Sequence, residues 1–250
     1  MSGESTVTIG LLLPDVLGTY SDAGNATILA QRLRWRGIRA EICTITSRDA
    51  PTTSCAVYLL GGGEDTAQLF AADWLRRHDR LRRVLGNSAV TLAVCAGLQI
   101  LGRSMSDAGG RRYPGLDLLD ITTVPGRQRA VGEVIATCVV PEVGSLTGFE
   151  NHRGVTTLGP GASPLGRIVT GVGNGTTHGL ARRRTEGVLT DRIVGTYLHG
   201  PVLARNPALA DHILHKATGE SLPPLELPDQ AALRRAYLPS SFLRSGDRLQ

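Results

Sequence analysis

Short apolar runs, separated by glycine-rich or polar loops, recur along the N-terminal part of the chain. Such runs predict strands that are buried on both faces of a parallel sheet. The runs are Val7–Leu13, Ile38–Ile45, Ala56–Leu60 and Ala89–Val94, and the helical patterns that alternate with them are Ala26–Arg36, Glu64–Arg77 and Gly97–Met105. This alternation predicts an α/β fold in which helices flank a doubly wound, mostly parallel sheet.

The pattern changes after residue 110. Between residues 120 and 200, short β-like segments rich in glycine predict an antiparallel excursion that packs on the α/β core. It includes a two-residue hairpin turn at Asn174-Gly175, between Arg167–Val172 and Thr176–Arg182. The pattern then predicts a helix over Pro207–Ala217. A proline-containing linker and a short helix around Gln230–Tyr237 follow it. We therefore divide the chain into one domain over 1–220 and a linker and tail over 221–250.

Composition and charge disfavour several classes of protein. The formal net charge is +5, but the arginines are scattered and aromatic residues make up only 4% of the chain, which is unlike a nucleic-acid-binding surface. No apolar run reaches the roughly 18 residues of a membrane span. The N-terminus also lacks the basic start of a secretory signal. We expect a cytoplasmic protein.

The four cysteines form no C-x-x-C pair, and no histidine cluster has zinc spacing, so we expect no metal site. Cys95 differs from the other three because it directly follows an apolar strand and precedes Ala96, Gly97 and a helical pattern. A sharp strand-to-helix turn raises the turn residue above the sheet edge, where a thiol is expected to deprotonate easily and attack a carbonyl. Cys95 is the candidate nucleophile, and the Ala96 N–H is a candidate oxyanion donor.

His199 is the candidate base for this thiol. It ends the strand-like segment Val188–Leu198, and Gly200-Pro201 then turns the chain. Its ring is therefore expected above the same sheet edge as Cys95. Gly61–Gly63 follows the third strand and is either a second oxyanion donor or a simple turn.

Several motifs together resemble those of class I glutamine amidotransferases, in the branch related to cobyric acid synthase. They are L-L-G-G-G-E-D at 59–65, C-A-G-L-Q-I-L-G at 95–102, R-A-V-G-E at 129–133, G-F-E-N-H-R-G at 148–154 and G-T-Y-L-H-G-P-V-L at 195–203. The glutaminase subunits of lipid II isoglutaminyl synthase are the more similar members. The resemblance covers nearly the whole chain.

The resemblance implies that Cys95 attacks the side-chain amide of L-glutamine, releases ammonia and forms a glutamyl thioester that water hydrolyses. Gly62 and Ala96 would hold the oxyanion. Arg129 would bind the substrate, because a guanidinium donates two parallel hydrogen bonds to a carboxylate; the nearby Arg127 is the alternative. Three further candidates to line the site are Gln99, Glu150 and His152.

The resemblance also implies a heterodimer. Ammonia would pass to a Mur-ligase-like synthetase subunit, MurT, which amidates the α-carboxylate of D-glutamate in lipid II during peptidoglycan synthesis. This step supports cell-wall biogenesis and cell shape, and would take place near the inner face of the membrane. ATP and Mg are expected on the partner, and no cofactor is expected in this chain.

One position departs from the family pattern. Many class I members have a glutamate two residues after the catalytic histidine, and Pro201 stands there in this chain. His199 therefore lacks an obvious acidic neighbour in its own chain. We hypothesise that the partner supplies the carboxylate, with Glu150 as the in-chain alternative.

Two other functions stay open at this stage. The first is a glutaminase component that serves another acceptor, such as a corrinoid carboxylate, although such enzymes usually carry a fused synthetase domain with a P-loop and this chain has no P-loop motif. The second is a non-catalytic regulatory module on the same fold. The presence of both Cys95 and His199 argues against such a module.

Overall fold

The computed structural model describes residues 6–19, 22–175 and 184–237 of the 250-residue chain. The described residues form two six-stranded sheets with helices around them. The first sheet corresponds to the predicted α/β core. The second is the predicted excursion.

The central sheet contains the strands predicted from the N-terminal apolar runs. Its strands are β1 (Val7–Leu12), β2 (Ala40–Ile45), β3 (Val57–Leu60), β4 (Val90–Val94), β11 (Val188–Leu189) and β12 (Ile193–Thr196). They lie in the order β11-β12-β4-β3-β1-β2, and all neighbours are parallel except β11 and β12. Every residue of β3 and β4 is buried, as their apolar sequences require.

Helices cover both faces of this sheet, which confirms the doubly wound architecture. They are α1 (Gly24–Arg34), α2 (Asp65–Arg76), α3 (Asp79–Asn87), α4 (Ala96–Leu101), α5 (Val202–Arg205), α6 (Pro207–Thr218) and α7 (Pro228–Tyr237). Buried side chains of α2, α3 and α4 form one apolar cluster, and those of α1, α5 and α6 form the other. The helix predicted over Gly97–Met105 is shorter than expected, because Gly102 is extended and the chain then enters a strand.

The second sheet is larger than the predicted excursion and begins earlier. Its strands are β5 (Ser104–Ser106), β6 (Arg112–Pro114), β7 (Ile121–Cys138), β8 (Ser145–Leu158), β9 (Gly166–Thr170) and β10 (Thr185–Glu186). The long antiparallel pair β7–β8 dominates it, with a register shift between Pro125 and Ala130. The expected end at residue 200 was wrong, because β11 and β12 return to the central sheet.

Only the first strand and the turn of the hairpin predicted at Asn174-Gly175 lie among the described residues. Its second strand, Thr176–Arg182, lies outside the described residues. Within the described part, β9 pairs with β10, and the buried Asn174 side chain donates to Thr185 Oγ1 at 3.1 Å and to Gly187 O at 2.9 Å.

The C-terminal helix α7 packs on the domain. Gln230 Oε1 accepts a hydrogen bond from Arg32 Nη1 on α1 at 3.2 Å. Arg234 Nη1 donates to Arg205 O at 2.6 Å and to Asn206 Oδ1 at 3.1 Å. The described part of the tail, up to residue 237, therefore packs on its own chain, while the division of domains at residue 220 stays a prediction.

The buried Asn206 side chain joins the two sheets. Its Oδ1 accepts from Thr147 N at 2.9 Å, and its Nδ2 donates to Thr147 O at 2.7 Å. Because Thr147 belongs to β8 and Asn206 precedes α6, this amide holds the excursion against the α/β core.

Replacing Asn206 with alanine leaves buried backbone groups of Thr147 unpaired. An unsatisfied buried polar group costs about 1–3 kcal/mol. We therefore expect Asn206→Ala to lower the free energy of unfolding by about 2 kcal/mol or more in urea denaturation. The exposed Asn87, whose side chain donates to Arg83 O at 3.0 Å, is the matched control, and Asn87→Ala should have little effect. Equal losses in the two variants would contradict this role of Asn206.

Candidate active site

Cys95 occupies a strained turn between β4 and α4. Its backbone has φ 53° and ψ −106°, a region that costs a non-glycine residue about 1–3 kcal/mol. Gly97 permits the turn, because a Cβ there would lie 2.5 Å from Leu60 O. The sharp strand-to-helix turn predicted at Cys95 is therefore present, and it raises the side chain above the sheet edge.

His199 lies at the same edge, just beyond β12. The Cys95 N–H donates to Thr196 O at 2.8 Å, which ties the end of β4 to the end of β12. Phe149 of β8 holds the His199 backbone, since His199 N donates to Phe149 O at 2.8 Å. A Cβ at Gly62 would lie 2.9 Å from His199 Cε1 and 3.4 Å from Cys95 Cβ. The structure thus brings the predicted thiol and imidazole together around one glycine.

Asp22 supplies the carboxylate that the sequence did not reveal. Its Oδ1 lies 3.2 Å from His199 Nδ1, and both side chains are almost fully buried. Because a carboxylate only accepts, Nδ1 carries the proton of this bond and Nε2 is left as the basic nitrogen. The expectation that His199 lacks an acidic neighbour in its own chain was therefore wrong, and the reason for assigning that group to the partner is removed.

The second carboxylate oxygen of Asp22 changes the assignment of Gly62. The Gly62 N–H donates to Asp22 Oδ2 at 2.8 Å, so it does not point at the substrate space. The expected oxyanion role of Gly62 is wrong for this conformation, because its donor is already used. Gly63, one residue along, lines the cavity beside Cys95 and Ala96.

A cavity of about 360 Å³ opens above Cys95. Cys95, Ala96 and His199 form one part of its wall, and Arg129 of β7 lies on its lining. Arg129 Nε donates to Asn151 Oδ1 at 2.5 Å. The alternative residue, Arg127, lines a neighbouring cavity of about 750 Å³ and not this one.

The thiol of Cys95 is protonated at neutral pH. Burial raises its pKa to about 12, and the negative charge of Asp22 acts in the same direction. The N–H of Ala96 and the charge of Arg129 lower that pKa by smaller amounts. The expectation that the turn makes this thiol easy to deprotonate was wrong, because desolvation outweighs the local N–H. For this thiol to act as a nucleophile, a base would have to remove its proton.

The other predicted lining residues divide into two groups. Gln99 and His152 line the cavity, whereas Glu150 lies behind His152 and does not. Glu150 accepts hydrogen bonds from Val172 N and Gly173 N, both at 2.8 Å, and lies 3.4 Å from His152 Nε2. The carboxylate that contacts His199 is therefore Asp22, and the hydrogen bonds of Glu150 support His152.

A buried polar chain forms the floor of the cavity. Gln68 Nε2 donates to Gln99 Oε1 at 2.7 Å, and Gln99 Nε2 donates to Tyr197 Oη at 3.1 Å. The Tyr197 ring stacks on His152 with 3.9 Å between the ring centroids. These contacts fix the orientation of Gln68, Gln99 and His152, which line the cavity.

Asp22 and Glu64 were not identified from the sequence. Asp22 lies in the loop after β1, and β1 ends at the same sheet edge as β4 and β12. An acid on a loop after a parallel strand was therefore the signal available for it. Glu64 lies within the motif at 59–65, which gave it no separate role, and it lines the cavity.

Within the described ranges, no group of three or more metal-ligating side chains lies together. None of the helices in that part of the chain is long and apolar enough to cross a bilayer.

Comparison with known proteins places this chain in a family. A family model described as a CobB/CobQ-like glutamine amidotransferase domain matches residues 8–207. The chain belongs to this family. The resemblance expected from the sequence motifs is therefore confirmed.

Relatives and solved structures agree with this assignment. The chain is 31% identical to the GatD subunit of lipid II isoglutaminyl synthase from Staphylococcus aureus, over 91% of this chain and 92% of that protein. It is also 31% identical to GatD from Streptococcus pneumoniae, over 84% of this chain and 80% of that protein. A crystal structure of a glutamine amidotransferase superposes with a TM-score of 0.56 at 21% identity, covering 84% of this chain and 98% of that one, and supports the fold.

Changing Asp22 to asparagine tests the histidine tautomer in this amidotransferase. An asparagine N–H₂ facing Nδ1 would favour the tautomer whose Nε2 is protonated and not basic. We expect Asp22→Asn to lower the kcat of glutamine-dependent ammonia release by on the order of 10²- to 10⁴-fold, as for an aspartate that orients a catalytic histidine. Asp15→Asn is the control, because the exposed Asp15 carboxylate binds Ser47 instead. Full activity of Asp22→Asn would rule out the role of Asp22.

Glu186 makes the stability of the amidotransferase depend on pH. It is fully buried and accepts from Thr196 Oγ1 at 2.6 Å and from Tyr197 N at 2.8 Å. Burial raises the pKa of Glu186 from 4.5 to about 7. Between these pH values the folded chain keeps a proton that the unfolded chain releases, so stability falls as pH rises.

The Glu186→Gln variant should not show this fall, because its amide cannot ionise. Between about pH 4.5 and about pH 7, we expect the Tm of wild type to fall steadily relative to the Tm of Glu186→Gln. Above about pH 7 the difference between the two Tm values should stay constant. Thermal unfolding across this range measures it. A difference in Tm that is the same at every pH would contradict the buried acid.

Proposed function

We propose that this chain is the glutamine-hydrolysing subunit of a lipid II isoglutaminyl synthase. The supporting observation is that Cys95 and His199 line one cavity, with Asp22 bound to His199, in a chain that matches GatD over 91% of its own length. The arrangement of Cys95, His199 and Asp22 supports the chemistry of amide hydrolysis. The match to GatD supports lipid II as the acceptor.

In the first step Cys95 Sγ attacks the side-chain amide carbon of L-glutamine. His199 Nε2 takes the thiol proton as the sulfur–carbon bond forms, because Asp22 holds the ring proton on Nδ1. The protonated thiol is the resting form, so proton transfer to His199 accompanies the attack. The product of this step is a tetrahedral intermediate with a negatively charged oxygen.

We assign the stabilisation of that oxygen to two backbone N–H groups. The Ala96 N–H lies beside the Cys95 sulfur, whose pKa it lowers. Gly63 lines the same cavity, and we assign the second donor to its N–H in place of Gly62. One such donor contributes on the order of 10²- to 10³-fold to the rate of acyl transfer.

The intermediate then collapses and releases ammonia. His199 returns its proton to the leaving nitrogen, the carbon–nitrogen bond breaks, and a glutamyl thioester stays on Cys95. Water next attacks the thioester carbonyl while His199 takes a proton from it. The carbon–sulfur bond breaks, the thiol regains its proton, and glutamate leaves.

Arg129 is the group that we assign to the α-carboxylate of glutamine. It lines the cavity above Cys95, and its Nε is fixed by Asn151, so the terminal nitrogens of the guanidinium are oriented. A guanidinium held in this way donates two parallel hydrogen bonds to a carboxylate.

The ammonia is delivered to a synthetase partner in this proposal. The S. aureus and S. pneumoniae relatives are named as subunits of lipid II isoglutaminyl synthase, which supports a heterodimer with a Mur-ligase-like subunit, MurT. That subunit would use ATP and Mg to amidate the D-glutamate α-carboxylate of lipid II, at the cytoplasmic face of the membrane.

Replacing Cys95 with alanine separates glutamine hydrolysis from amidation. The complex is assembled from this chain and a Mur-ligase-like partner and assayed on lipid II with ATP. We expect Cys95→Ala to reduce glutamine-dependent amidation by at least about 10³-fold, because the nucleophile is lost. Amidation with added ammonium chloride should stay within about twofold of wild type, since the synthetase needs only ammonia.

Cys43→Ala is the control for removal of a thiol, because the half-buried Cys43 lies on β2 away from the cavity. It should retain both activities. If wild type releases ammonia from glutamine but no lipid II is amidated with either nitrogen source, the acceptor is wrong and the glutaminase assignment stands. Glutamine-dependent activity in Cys95→Ala would refute the nucleophile.

A further inference from the structure

Glu64 occupies a distinct position on the wall of the catalytic cavity. It follows the triglycine directly and precedes α2, where its backbone is extended with φ −77° and ψ 164°. It is therefore two residues from Gly62, the glycine that packs against both Cys95 and His199. Its side chain is exposed and lines the cavity together with Cys95 and Arg129.

The carboxylate of Glu64 has no hydrogen bond or ion pair to other residues in the described part of the chain. The neighbouring acid, Asp65, differs in this respect, because its Oδ2 accepts from Ala108 N at 2.8 Å. Both acids lie at the N-terminus of α2, where negative charge stabilises the helix. Both acids also line the cavity, but the Asp65 carboxylate already accepts from Ala108 N, so Glu64 is the one whose carboxylate is left for a ligand.

Arg129 and Glu64 place opposite charges on the same cavity. Both act on the thiol: the charge of Arg129 lowers the pKa of Cys95, and the charge of Glu64 raises it. Both charged groups line the cavity that holds Cys95, so they border the space in which a substrate of this thiol would lie. A free amino acid carries both countercharges at its α-carbon, a short chain of methylene groups away from its side-chain amide.

We propose that Glu64 binds the α-ammonium group of glutamine and selects free α-amino acids as substrates. This inference rests on the proposed function and adds a recognition element to it. Arg129 binds the α-carboxylate, and Glu64 binds the α-ammonium. The zwitterionic end of the substrate is thereby held between them, while the amide is presented to Cys95.

This arrangement requires that the substrate carry an α-amino group. An amide that lacks the α-amino group, such as 4-carbamoylbutanoate, would keep the contact with Arg129 and leave Glu64 without a partner. A hydrogen bond between charged groups contributes about 1.5–3 kcal/mol, which corresponds to about 10- to 100-fold in kcat/KM. Wild type should therefore prefer L-glutamine over 4-carbamoylbutanoate by about that factor.

The Glu64→Gln variant tests this preference in the full-length chain. We expect its KM for L-glutamine to rise about 10- to 100-fold with little change in kcat, because the lost contact is remote from the reacting carbon. Its kcat/KM for 4-carbamoylbutanoate should stay within about threefold of wild type. Asp65→Asn, at the same helix end, is the matched control and should leave the preference between the two substrates unchanged.

Binding to an inactive background gives a readout that does not need turnover. Calorimetry with Cys95→Ala should show L-glutamine binding, and adding Glu64→Gln should weaken it about 10-fold or more. If Glu64→Gln lowers kcat/KM for both substrates equally, or leaves glutamine binding unchanged, the recognition role of Glu64 is overturned while the glutaminase stands. If Cys95→Ala binds no glutamine and wild type releases no ammonia from it, the proposed function falls as well.

Discussion

The Asp22 carboxylate is the interaction on which the catalytic arrangement depends. One oxygen accepts from His199 and the other from the Gly62 N–H, so three segments that are distant in sequence are held at one point. The carboxylate is buried with His199, where an unpaired charge would be costly. The orientation of the imidazole and the path of the triglycine are therefore set together, and neither changes without affecting the other.

The catalytic cavity is built from both sheets. The central sheet brings Cys95 and His199 to one edge, as parallel strands do with the residues that follow them. The cavity walls come from β7 and β8, through Arg129 and His152, and β8 also holds the His199 backbone. Since Asn206 ties β8 to the start of α6, the fit between the two sheets determines the distance from the wall that carries Arg129 and His152 to Cys95.

The sequence predicted those parts of the molecule that local patterns determine. Apolar runs identified the parallel strands, and the segment around Cys95 identified the turn, because a buried strand and a strained elbow restrict their own residues. Asp22 was missed because its role depends on strand order, which brings the end of β1 beside β4 and β12 only after folding. The raised pKa of Cys95 was missed for a related reason: desolvation depends on everything packed around the sulfur, and the local N–H is only one contribution.

The high pKa of Cys95 affects how its thiol reacts with oxidants and with electrophiles. Oxidants such as peroxides attack thiolates and react slowly with thiols. A sulfur whose pKa is raised in this way presents little thiolate to such oxidants at neutral pH. Electrophiles that react with thiolates are accordingly expected to label Cys95 slowly unless they first bind in the cavity beside it.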